Sequence, residues 1–382
     1  MRRRLAGVLT ALAVSAGLLA ATAPTASATS APPPLPDAAS YGITVTGYTQ
    51  VDPSRPASEP RLLDVTMRTA AIYRDGAEHD VRVRIRIPGG YQTNPQQPYK
   101  TLYLLHGGAG DYDDWTNDGR FEEQIKDRFN GIVVMPDAGM AGYYTDWAGN
   151  ADGGFRPLWE TFHIGQLLPW IDANFNTTAS RSGRMIAGPS MGGFGALKYA
   201  GQHPDLFSAA ASFSGGTDIK YRDAQGHSAQ DTFSGHMYQA GASFLDNWGD
   251  GTTRVNLYQP GQLFPDPDQD KQREYRIRTV FGASPDTPGD PRWATVNPYD
   301  MAARYAQYGG KLALYTGGMP DDWWDRGEEE IYAYNTWFHA RLQALDVPHG
   351  WCAGQGKHEW THWQKDLVDF LNFTNGNPTC HY

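Results

Sequence analysis

Short apolar runs that alternate with longer, helix-like segments constrain the fold of this chain most. Each run is short enough for one buried strand, and most are separated by a segment long enough for a helix. Buried strands connected through helices form a mostly parallel sheet with helices on both faces. We predict strands at 101–105, 132–135, 185–187, 209–213 and 312–315, and helices at 119–129, 161–175, 192–202, 328–345 and 360–371.

Three segments outside this alternation complete the predicted domain. Residues 62–67 and 81–87 are β-like, and the second run alternates apolar and basic side chains as a half-exposed antiparallel strand does. Residues 217–290 are rich in Gly, Asp, Gln and Pro and show little periodicity. We expect this stretch to be an insertion over the carboxyl-terminal edge of the sheet, within a single domain that spans 61–382.

The first 60 residues predict export. Three arginines precede an apolar run, and the Ala-Ser-Ala sequence at 26–28 matches a small-residue cleavage site. This pattern is typical of a secretory signal peptide over 1–28, and a membrane anchor is the alternative interpretation. A proline-rich linker and N-terminal extension, 29–60, follows. We therefore expect a secreted protein that is extracellular or associated with the cell wall.

Composition excludes several classes of protein. The 382 residues include 42 acidic and 32 basic side chains, for a net charge of −10, so nucleic acid is a poor partner. The two cysteines, Cys352 and Cys380, are too few for a disulfide-rich scaffold or a four-cysteine zinc site. An exported chain is able to join them in a disulfide, and two free buried thiols are the alternative.

Residues 184–197 carry the clearest chemical signal. They read as a strand, the turn G-P-S-M-G and a helix. A nucleophilic serine projects from a sharp turn that needs small residues two positions before and after it. We predict Ser190 as the nucleophile and the Met191 N–H as an oxyanion donor. The alternative, a phosphate-binding glycine turn, normally carries a Lys or the order G-x-G-x-x-G, and neither is present.

A nucleophilic serine needs a second oxyanion donor, a base and an acid. The glycine loop after 101–105 suggests the N–H of Gly108 as that donor. His358 follows a glycine-containing loop and precedes a predicted amphipathic helix, so we predict it as the base. The residues alone leave the acid open among Asp321 and Asp322 after a predicted strand and Glu328, Glu329 and Glu330 at the next helix.

A competing motif overlaps the predicted base. His358, Glu359 and His362 form H-E-x-x-H, which on a helix binds zinc through both histidines and uses the Glu as base. The glycines at 354 and 356 favour a loop at His358, and no Glu follows His362 as a third ligand. A zinc peptidase is therefore a distant alternative, and we expect neither a metal nor another cofactor.

Four further motifs lie at separate points along the chain: Y-Y-T-D-W at 143–147, W-E-T-F at 159–162 with L-P-W at 168–170, S-M-G-G at 190–193, and H-E-W-T-H-W at 358–363. Together they resemble the esterase D and antigen 85 group of α/β-hydrolases, over roughly residues 102–371. That group includes S-formylglutathione hydrolase-like esterases and secreted mycolyltransferases. The resemblance implies an α/β-hydrolase fold, with helices on both faces of the sheet.

The resemblance also implies which residue is the acid. In antigen 85-like members the acid is a Glu seven residues before an Asn, and Glu328 stands seven residues before Asn335. Glu328 is therefore the predicted acid, with Glu329 or Asp322 next.

Two candidate substrate contacts follow from the same resemblance. Trp360 matches a tryptophan that lines the family's site, with core packing as the alternative. His106 stands where the mycolyltransferases carry a sugar-contacting Asp, and Ala109 replaces their Arg. These departures favour the plain esterases of the group.

We therefore predict a secreted serine esterase that forms an acyl-enzyme on a Ser-Glu-His triad. An acyltransferase acting on cell-envelope sugars or glycerides is the first alternative. A glycan-binding protein that uses aromatic residues such as Trp323 and Trp324 is another. The expected partner is a small-molecule, glycan or lipid ester, without nucleic acid and without stable membrane insertion.

Overall fold

A computed structural model describes residues 38–74, 77–91, 98–108, 110–139, 142–149, 156–220, 280–283, 290–318 and 326–382. Several predictions from the sequence lie outside these ranges. They are the signal peptide, the proline run, Ala109, the acids Asp321 and Asp322, the pair Trp323 and Trp324, and most of the 217–290 insertion.

One mixed sheet of nine strands forms the centre of the part of the chain that the structure describes. Its spatial order is β1-β2-β3-β5-β4-β6-β7-β8-β9. The pairs β1–β2, β2–β3 and β3–β5 are antiparallel, and every later pair is parallel. The strands are β1 Thr44–Gln50, β2 Arg61–Arg74, β3 Ala77–Ile87, β4 Thr101–Leu104, β5 Ile132–Pro136, β6 Arg184–Pro189, β7 Ala209–Phe213, β8 Lys311–Thr316 and β9 Gly350–Ala353.

Helices follow most of the parallel strands, as the alternation in the sequence predicts. A π-helix, Thr161–Leu167, continues directly into α3, and 3-10 turns lie at Ala39–Tyr41 and Arg181–Gly183. The α-helices are α1 Asp114–Asn117, α2 Phe121–Ile125, α3 Leu168–Asn174, α4 Met191–Gln202, α5 Trp293–Val296, α6 Ala302–Tyr308, α7 Arg326–Ala344 and α8 Trp360–Thr374. The α/β fold class with a mostly parallel sheet is confirmed.

Three local predictions differ from the structure. The helix expected at 119–129 is shorter, Phe121–Ile125, and a separate short helix that was not predicted, Asp114–Asn117, precedes it; Arg120 between them has a left-handed φ of 44°. Strand β9 was not predicted, since four residues carry little periodicity. Strand β1 lies within 29–60, which the sequence analysis assigned to a linker and N-terminal extension, yet it pairs along β2 as part of the sheet.

The sheet is covered on both faces, and each face has its own apolar cluster. Along β4, Tyr103 lies in one cluster and Leu102 and Leu104 lie in the other, as the alternation of side chains in a strand requires. The first cluster includes residues of α3, α4 and α7, and the second includes residues of α1, α2 and α8. Burial of both faces explains why the central strands read as continuous apolar runs.

A disulfide joins Cys352 to Cys380, as the sequence analysis proposed. Cys352 belongs to the edge strand β9. The bond therefore attaches the segment after α8 directly to the sheet. Among the residues described, no helix has both the length and the apolar character needed to cross a membrane.

Candidate active site

Ser190 occupies a sharp turn between β6 and α4. Its φ of 51° and ψ of −118° place it in a region that L-residues rarely adopt, and such a conformation costs on the order of 1–3 kcal/mol. The Ser190 N–H donates to the carbonyl of Phe213 at 2.8 Å, which ties the turn to the end of β7. The side chain is partly exposed at the carboxyl-terminal edge of the sheet.

The two glycines that flank this turn are required by close packing. A Cβ at Gly188 would lie 2.7 Å from the carbonyl oxygen of Leu105. A Cβ at Gly192 would lie 2.7 Å from the carbonyl oxygens of both His106 and Leu105. The turn and the loop after β4 therefore pack backbone against backbone. This close packing explains why the G-x-S-x-G motif has glycine at both positions.

Both predicted oxyanion donors lie on elements that flank Ser190. Met191 is the first residue of α4, and the N–H groups of a first helical turn have no partner within the helix. On the other side, a Cβ built at Gly107 would lie 3.7 Å from the Ser190 Cβ. Gly108 follows it on an exposed turn that the Gly110 N–H closes by donating to the Gly107 carbonyl at 3.3 Å.

His106 lies beneath this loop and is 1% exposed, so the structure corrects its assignment as a substrate contact. Its Nδ1 lies 2.8 Å from the Gly107 carbonyl oxygen, and its Nε2 accepts the Ala138 N–H at 2.9 Å. The hydroxyl of Tyr144 donates to the His106 carbonyl at 2.9 Å. Both ring nitrogens are used inside the protein, and the residue braces the loop.

Glu328 and His358 contact each other at the sheet edge that also carries the Ser190 turn, which we call the elbow. The His358 Nδ1 lies 2.7 Å from Oε2 of Glu328, which is 0% exposed. Oε1 of Glu328 accepts the Gly317 N–H at 2.8 Å and the Ser214 hydroxyl at 2.7 Å. Its neighbour Glu329 is exposed. With Nδ1 directed to the carboxylate, the imidazole has Nε2 as its basic nitrogen.

The helix α7 is tied to the sheet close to this acid. The side-chain amide of Asn335 donates to the Gly215 carbonyl at 2.8 Å, and Phe338 is fully buried. Gly215 is the residue after Ser214, and Asn335 and Glu328 are both on α7. The bond from Asn335 to Gly215 therefore helps to keep Glu328 beside the Ser214 hydroxyl. Within the described residues, no hydrogen bond joins the Ser190 hydroxyl to the His358 ring.

The zinc-binding arrangement of H-E-x-x-H does not form. Helix α8 begins at Trp360, so His358 precedes the helix and does not share its face with His362. The His362 ring stacks on Tyr382, with centroids 5.8 Å apart. Its Nε2 lies 3.8 Å from the Glu359 carboxylate. The zinc-peptidase alternative therefore loses its geometric basis.

Trp360 belongs to an aromatic cluster at the edge of the second core. Its ring makes edge contacts with Trp115 and Trp363, at centroid distances of 5.1 and 5.2 Å. The side chain is partly buried. These contacts are consistent with a role of Trp360 in core packing. Part of its indole ring remains accessible.

Two groups of side chains in the described part of the chain have metal-like spacing. One combines Cys352 with Asp369 and His381, but the thiol is committed to the disulfide. The other is a set of partly exposed carboxylates, Asp111, Asp113 and Asp114, on the loop after β4. Neither group contains the predicted nucleophile or base.

An ion pair that sequence reasoning missed lies under the elbow helix. Lys198 is 0% exposed, and its ammonium donates to the Glu160 carboxylate and to the Tyr144 carbonyl. Burial opposes the charge on Glu160, but hydrogen bonds from His203 and Lys198 outweigh it and lower the pKa of Glu160 to about 2. The sequence signal for this ion pair was the W-E-T-F motif at 159–162, whose charged residue is Glu160.

The strained serine follows β6, the buried Glu–His pair follows the parallel strands β8 and β9, and a sequence model of the Esterase family matches residues 76–374. The chain belongs to this esterase family. The chain is 34% identical over 273 residues to an esterase of Mycobacterium tuberculosis, covering 70% of the chain and 55% of that relative. It thus spans about half of that relative's length.

Two further proteins are similar to this chain. It is 26% identical over 302 residues to the diacylglycerol acyltransferase/mycolyltransferase Ag85B of Mycobacterium leprae, covering 75% of the chain and 76% of the relative. An S-formylglutathione hydrolase from Agrobacterium tumefaciens superimposes with a TM-score of 0.58 at 12% identity, over 88% of this chain and 100% of that one. This likeness shows that the chain has the α/β-hydrolase fold.

Proposed function

We propose that the chain is a serine esterase that hydrolyses carboxylic esters through an acyl-enzyme. The observation that carries the proposal is the contact at 2.7 Å between His358 and the fully buried Glu328, at the sheet edge where a serine also occupies a strained strand–helix turn. A buried carboxylate that orients a histidine is the arrangement that activates a serine hydroxyl.

Each residue of the proposed triad has a defined step. His358 Nε2 takes the proton of the Ser190 hydroxyl as Oγ attacks the ester carbonyl. The backbone N–H groups of Gly108 and Met191 stabilise the oxyanion of the tetrahedral intermediate. The protonated His358 then gives its proton to the departing alcohol, which leaves an acyl group on Ser190. Glu328 stabilises the imidazolium throughout.

Water completes the proposed cycle. His358 accepts a proton from a water molecule, whose oxygen attacks the acyl carbonyl, and Ser190 regains its proton as the acid departs. A transferase would use an alcohol in place of water with the same residues. Similarity to a mycobacterial acyltransferase keeps this alternative open, and analysis of products from an ester donor with sugar and glycerol acceptors separates the two.

We also propose that the enzyme acts outside the cytoplasm. Two independent features support this location: the signal-peptide pattern at 1–28 and the disulfide between Cys352 and Cys380. Disulfides persist in oxidising compartments and are rare in the cytosol.

Replacement of the nucleophile tests the proposal. Ser190→Ala lowers kcat for a p-nitrophenyl ester by on the order of 10³-fold or more, because the hydroxyl that forms the acyl-enzyme is removed. The matched control is Ser182→Ala, which removes an exposed hydroxyl on the turn before β6 and leaves kcat unchanged. Circular dichroism shows that both variants are folded. Turnover retained by Ser190→Ala, or activity lost to a chelator alone, contradicts the proposal.

A further inference from the structure

A series of buried hydrogen bonds ends at the loop that carries one of the two proposed oxyanion donors. We call the groups in this series the support network. They are the Tyr199 hydroxyl on α4, the His163 ring in the π-helix, the peptide between Asp137 and Ala138 after β5, and the His106 ring after β4. The tyrosine and both histidines are at most 4% exposed. The proposed hydrolytic mechanism uses none of these groups.

His163 is the first ring of the support network. Its Nε2 lies 2.8 Å from the Asp137 carbonyl oxygen, and a carbonyl only accepts, so Nε2 carries a proton. Burial lowers the pKa of His163 to about 3, so the ring is neutral near pH 7 and its Nδ1 has no proton. This nitrogen therefore accepts the Tyr199 hydroxyl at 2.9 Å.

The support network also fixes the tautomer of His106. The Ala138 N–H donates to Nε2 of His106 at 2.9 Å, so this nitrogen carries no proton. The ring proton is on Nδ1, which donates to the Gly107 carbonyl oxygen at 2.8 Å. The Asp137 carbonyl and the Ala138 N–H belong to one peptide group. His163 therefore holds in place the donor that sets the tautomer of His106.

The bond from His106 to Gly107 sets the direction of the next backbone N–H. A trans peptide is planar, and its C=O and N–H point in opposite directions. The Gly107 carbonyl accepts the buried His106 ring and also the Gly110 N–H, at 3.3 Å. The Gly108 N–H belongs to the same peptide and therefore points away from the His106 ring. Among the residues described, no acceptor takes up this N–H.

The preceding peptide of the loop is held as well. The Tyr144 hydroxyl donates to the His106 carbonyl at 2.9 Å. Tyr144 has a left-handed φ of 49°, a strained conformation of the kind that clusters at functional sites. A Cβ at Gly107 would lie 3.7 Å from the Ser190 Cβ, so the loop held in this way lies directly beside the proposed nucleophile.

One charged group, the Asp137 carboxylate, also lies near the His106 ring. Burial opposes a charge on His106, but this carboxylate, 3.7 Å from Nε2, outweighs burial and raises the pKa of His106. Nδ1 carries a proton in the neutral and in the charged ring, so the donor to Gly107 is present in both. Protonation of Nε2 displaces the Ala138 N–H, so the complete support network forms above this pKa.

We propose that His106 is a positioning residue for the oxyanion hole: by holding the Gly107 carbonyl, its Nδ1–H directs the Gly108 N–H at the oxyanion. His163 supports this role through the peptide that fixes the His106 tautomer. The role rests on the proposed function of Ser190, and His106 touches neither substrate nor the reacting atoms. It acts on the rate because a donor stabilises the transition state only when it is aimed at the developing charge.

Two substitutions at His106 separate the roles of its two ring nitrogens. The amide nitrogen of Asn reaches the position of Nδ1 and donates to the Gly107 carbonyl, whereas the amide of Gln reaches the position of Nε2 and accepts the Ala138 N–H. His106→Gln lowers kcat for a p-nitrophenyl ester by about 10- to 100-fold and leaves KM within about twofold, since one oxyanion donor is misdirected. His106→Asn keeps kcat within about threefold of wild type, because the donor to Gly107 is retained.

The two variants are matched controls for each other. Each leaves one buried partner of the ring unpaired, so both should lower Tm to a similar degree. A fluorophosphonate counts the intact sites, and kcat is expressed per site. Equal kcat values of the two variants overturn the proposal. Tyr305→Phe removes a buried hydroxyl that donates to the Leu197 carbonyl at 2.9 Å, outside the support network, and should lower Tm without lowering kcat.

A trifluoromethyl ketone shows whether the loss arises at the oxyanion. Oγ of Ser190 adds to the ketone carbonyl, the hydroxyl proton passes to His358, and the adduct carries an oxyanion as the tetrahedral intermediate does. The inhibition constant of His106→Gln should rise by the same factor by which kcat/KM falls, and that of His106→Asn should stay close to wild type. A fall in kcat/KM without a rise in the inhibition constant overturns the proposal.

The tautomer of His106 is measurable in the wild-type protein without an activity assay. NMR spectra of protein labelled with isotopes in its histidines should show His106 with its proton on Nδ1 at a pH where the ring is neutral. The loss of this signal in His106→Asn assigns it. A proton on Nε2 alone overturns the proposal, because Nδ1 then has no proton to donate to the Gly107 carbonyl.

The outcomes separate this inference from the proposed function. If Ser190→Ala is inactive and the two His106 variants have equal kcat values, the positioning role fails and the serine mechanism stands. If Ser190→Ala keeps its activity, both fail. If Ser190→Ala is inactive and His106→Gln alone is slowed and binds the ketone weakly, both are supported.

Discussion

Lys198 is a cation with no exposed surface, and its environment shows how one residue supports the elbow. Its ammonium contacts the Glu160 carboxylate and the Tyr144 carbonyl. Tyr144 in turn holds the His106 carbonyl at the base of the oxyanion loop. Burial lowers the pKa of Lys198, and Glu160 partly offsets that effect. The pair thus connects α4, the π-helix region and the loop beside Ser190.

Glu160→Gln should destabilise the protein strongly. It leaves a buried ammonium without its counter-charge, and the loss of one partner of a buried pair costs about 3–5 kcal/mol. The measurement is the unfolding free energy from urea denaturation at pH 7. Glu123→Gln, which removes an exposed carboxylate on α2, is the control and should change the unfolding free energy little. Equal effects of the two variants would contradict the account of Lys198.

The same pair predicts a pH dependence. The pKa of Glu160 is lowered from 4.5 to about 2 in the folded protein, so the folded state holds the carboxylate charged more firmly than the unfolded state does. Its contribution, on the order of 3 kcal/mol, is present above pH 4.5 and is lost as the pH falls towards 2. Glu160→Gln should therefore be less pH-sensitive than wild type between these values. If the unfolding free energies of wild type and Glu160→Gln change in parallel over this pH range, the lowered pKa of Glu160 is contradicted.

At the scale of elements, the β–α connections bring the site together from distant parts of the sequence. Ser190 follows β6, Ser214 follows β7, Glu328 lies in the first turn of the helix after β8, and His358 follows β9. Because these four strands are parallel neighbours, their carboxyl ends meet at one edge of the sheet. The edge strand β9 contributes the histidine loop and also carries Cys352. The disulfide therefore stabilises the element that places the base.

The stability of this edge should depend on the disulfide. The bond closes a loop with a sequence separation of 28 residues, for which the chain-entropy account predicts about 3–4 kcal/mol of stabilisation. Replacement of Cys352 and Cys380 together by Ser should lower the unfolding free energy by this amount, measured in urea. Wild type reduced with dithiothreitol serves as the matched sample. An unchanged midpoint in both would show that the bond does not stabilise the folded chain.

Over the whole molecule, features that depend on a few neighbouring residues were predictable from the sequence. Contacts between distant segments were not. The strand–turn–helix around Ser190 was predictable because the strain and the close glycines lie within a few residues. Glu328 and Glu329 are adjacent acids at one helix start, and only the family-like spacing to Asn335 favoured Glu328. The side chain of Glu329 is exposed, because successive residues of a helix point in different directions.

Other features had no signal in the local sequence. The hydrogen bond from Ser214 to Glu328 joins residues more than a hundred positions apart, which periodicity does not report. The burial of His106 follows from Ala138 and Tyr144, which come from two later segments. The π-helical segment has the same apolar spacing as an ordinary helix and was predicted as one.

The central claim is that Ser190 is the nucleophile of an acyl-transfer reaction, and covalent labelling tests it most directly. A fluorophosphonate should react once per molecule, abolish ester hydrolysis in proportion to labelling, and appear by mass spectrometry on the peptide that contains Ser190. Labelling should be absent in Ser190→Ala. Label on another residue, or full activity in the labelled protein, would contradict the account.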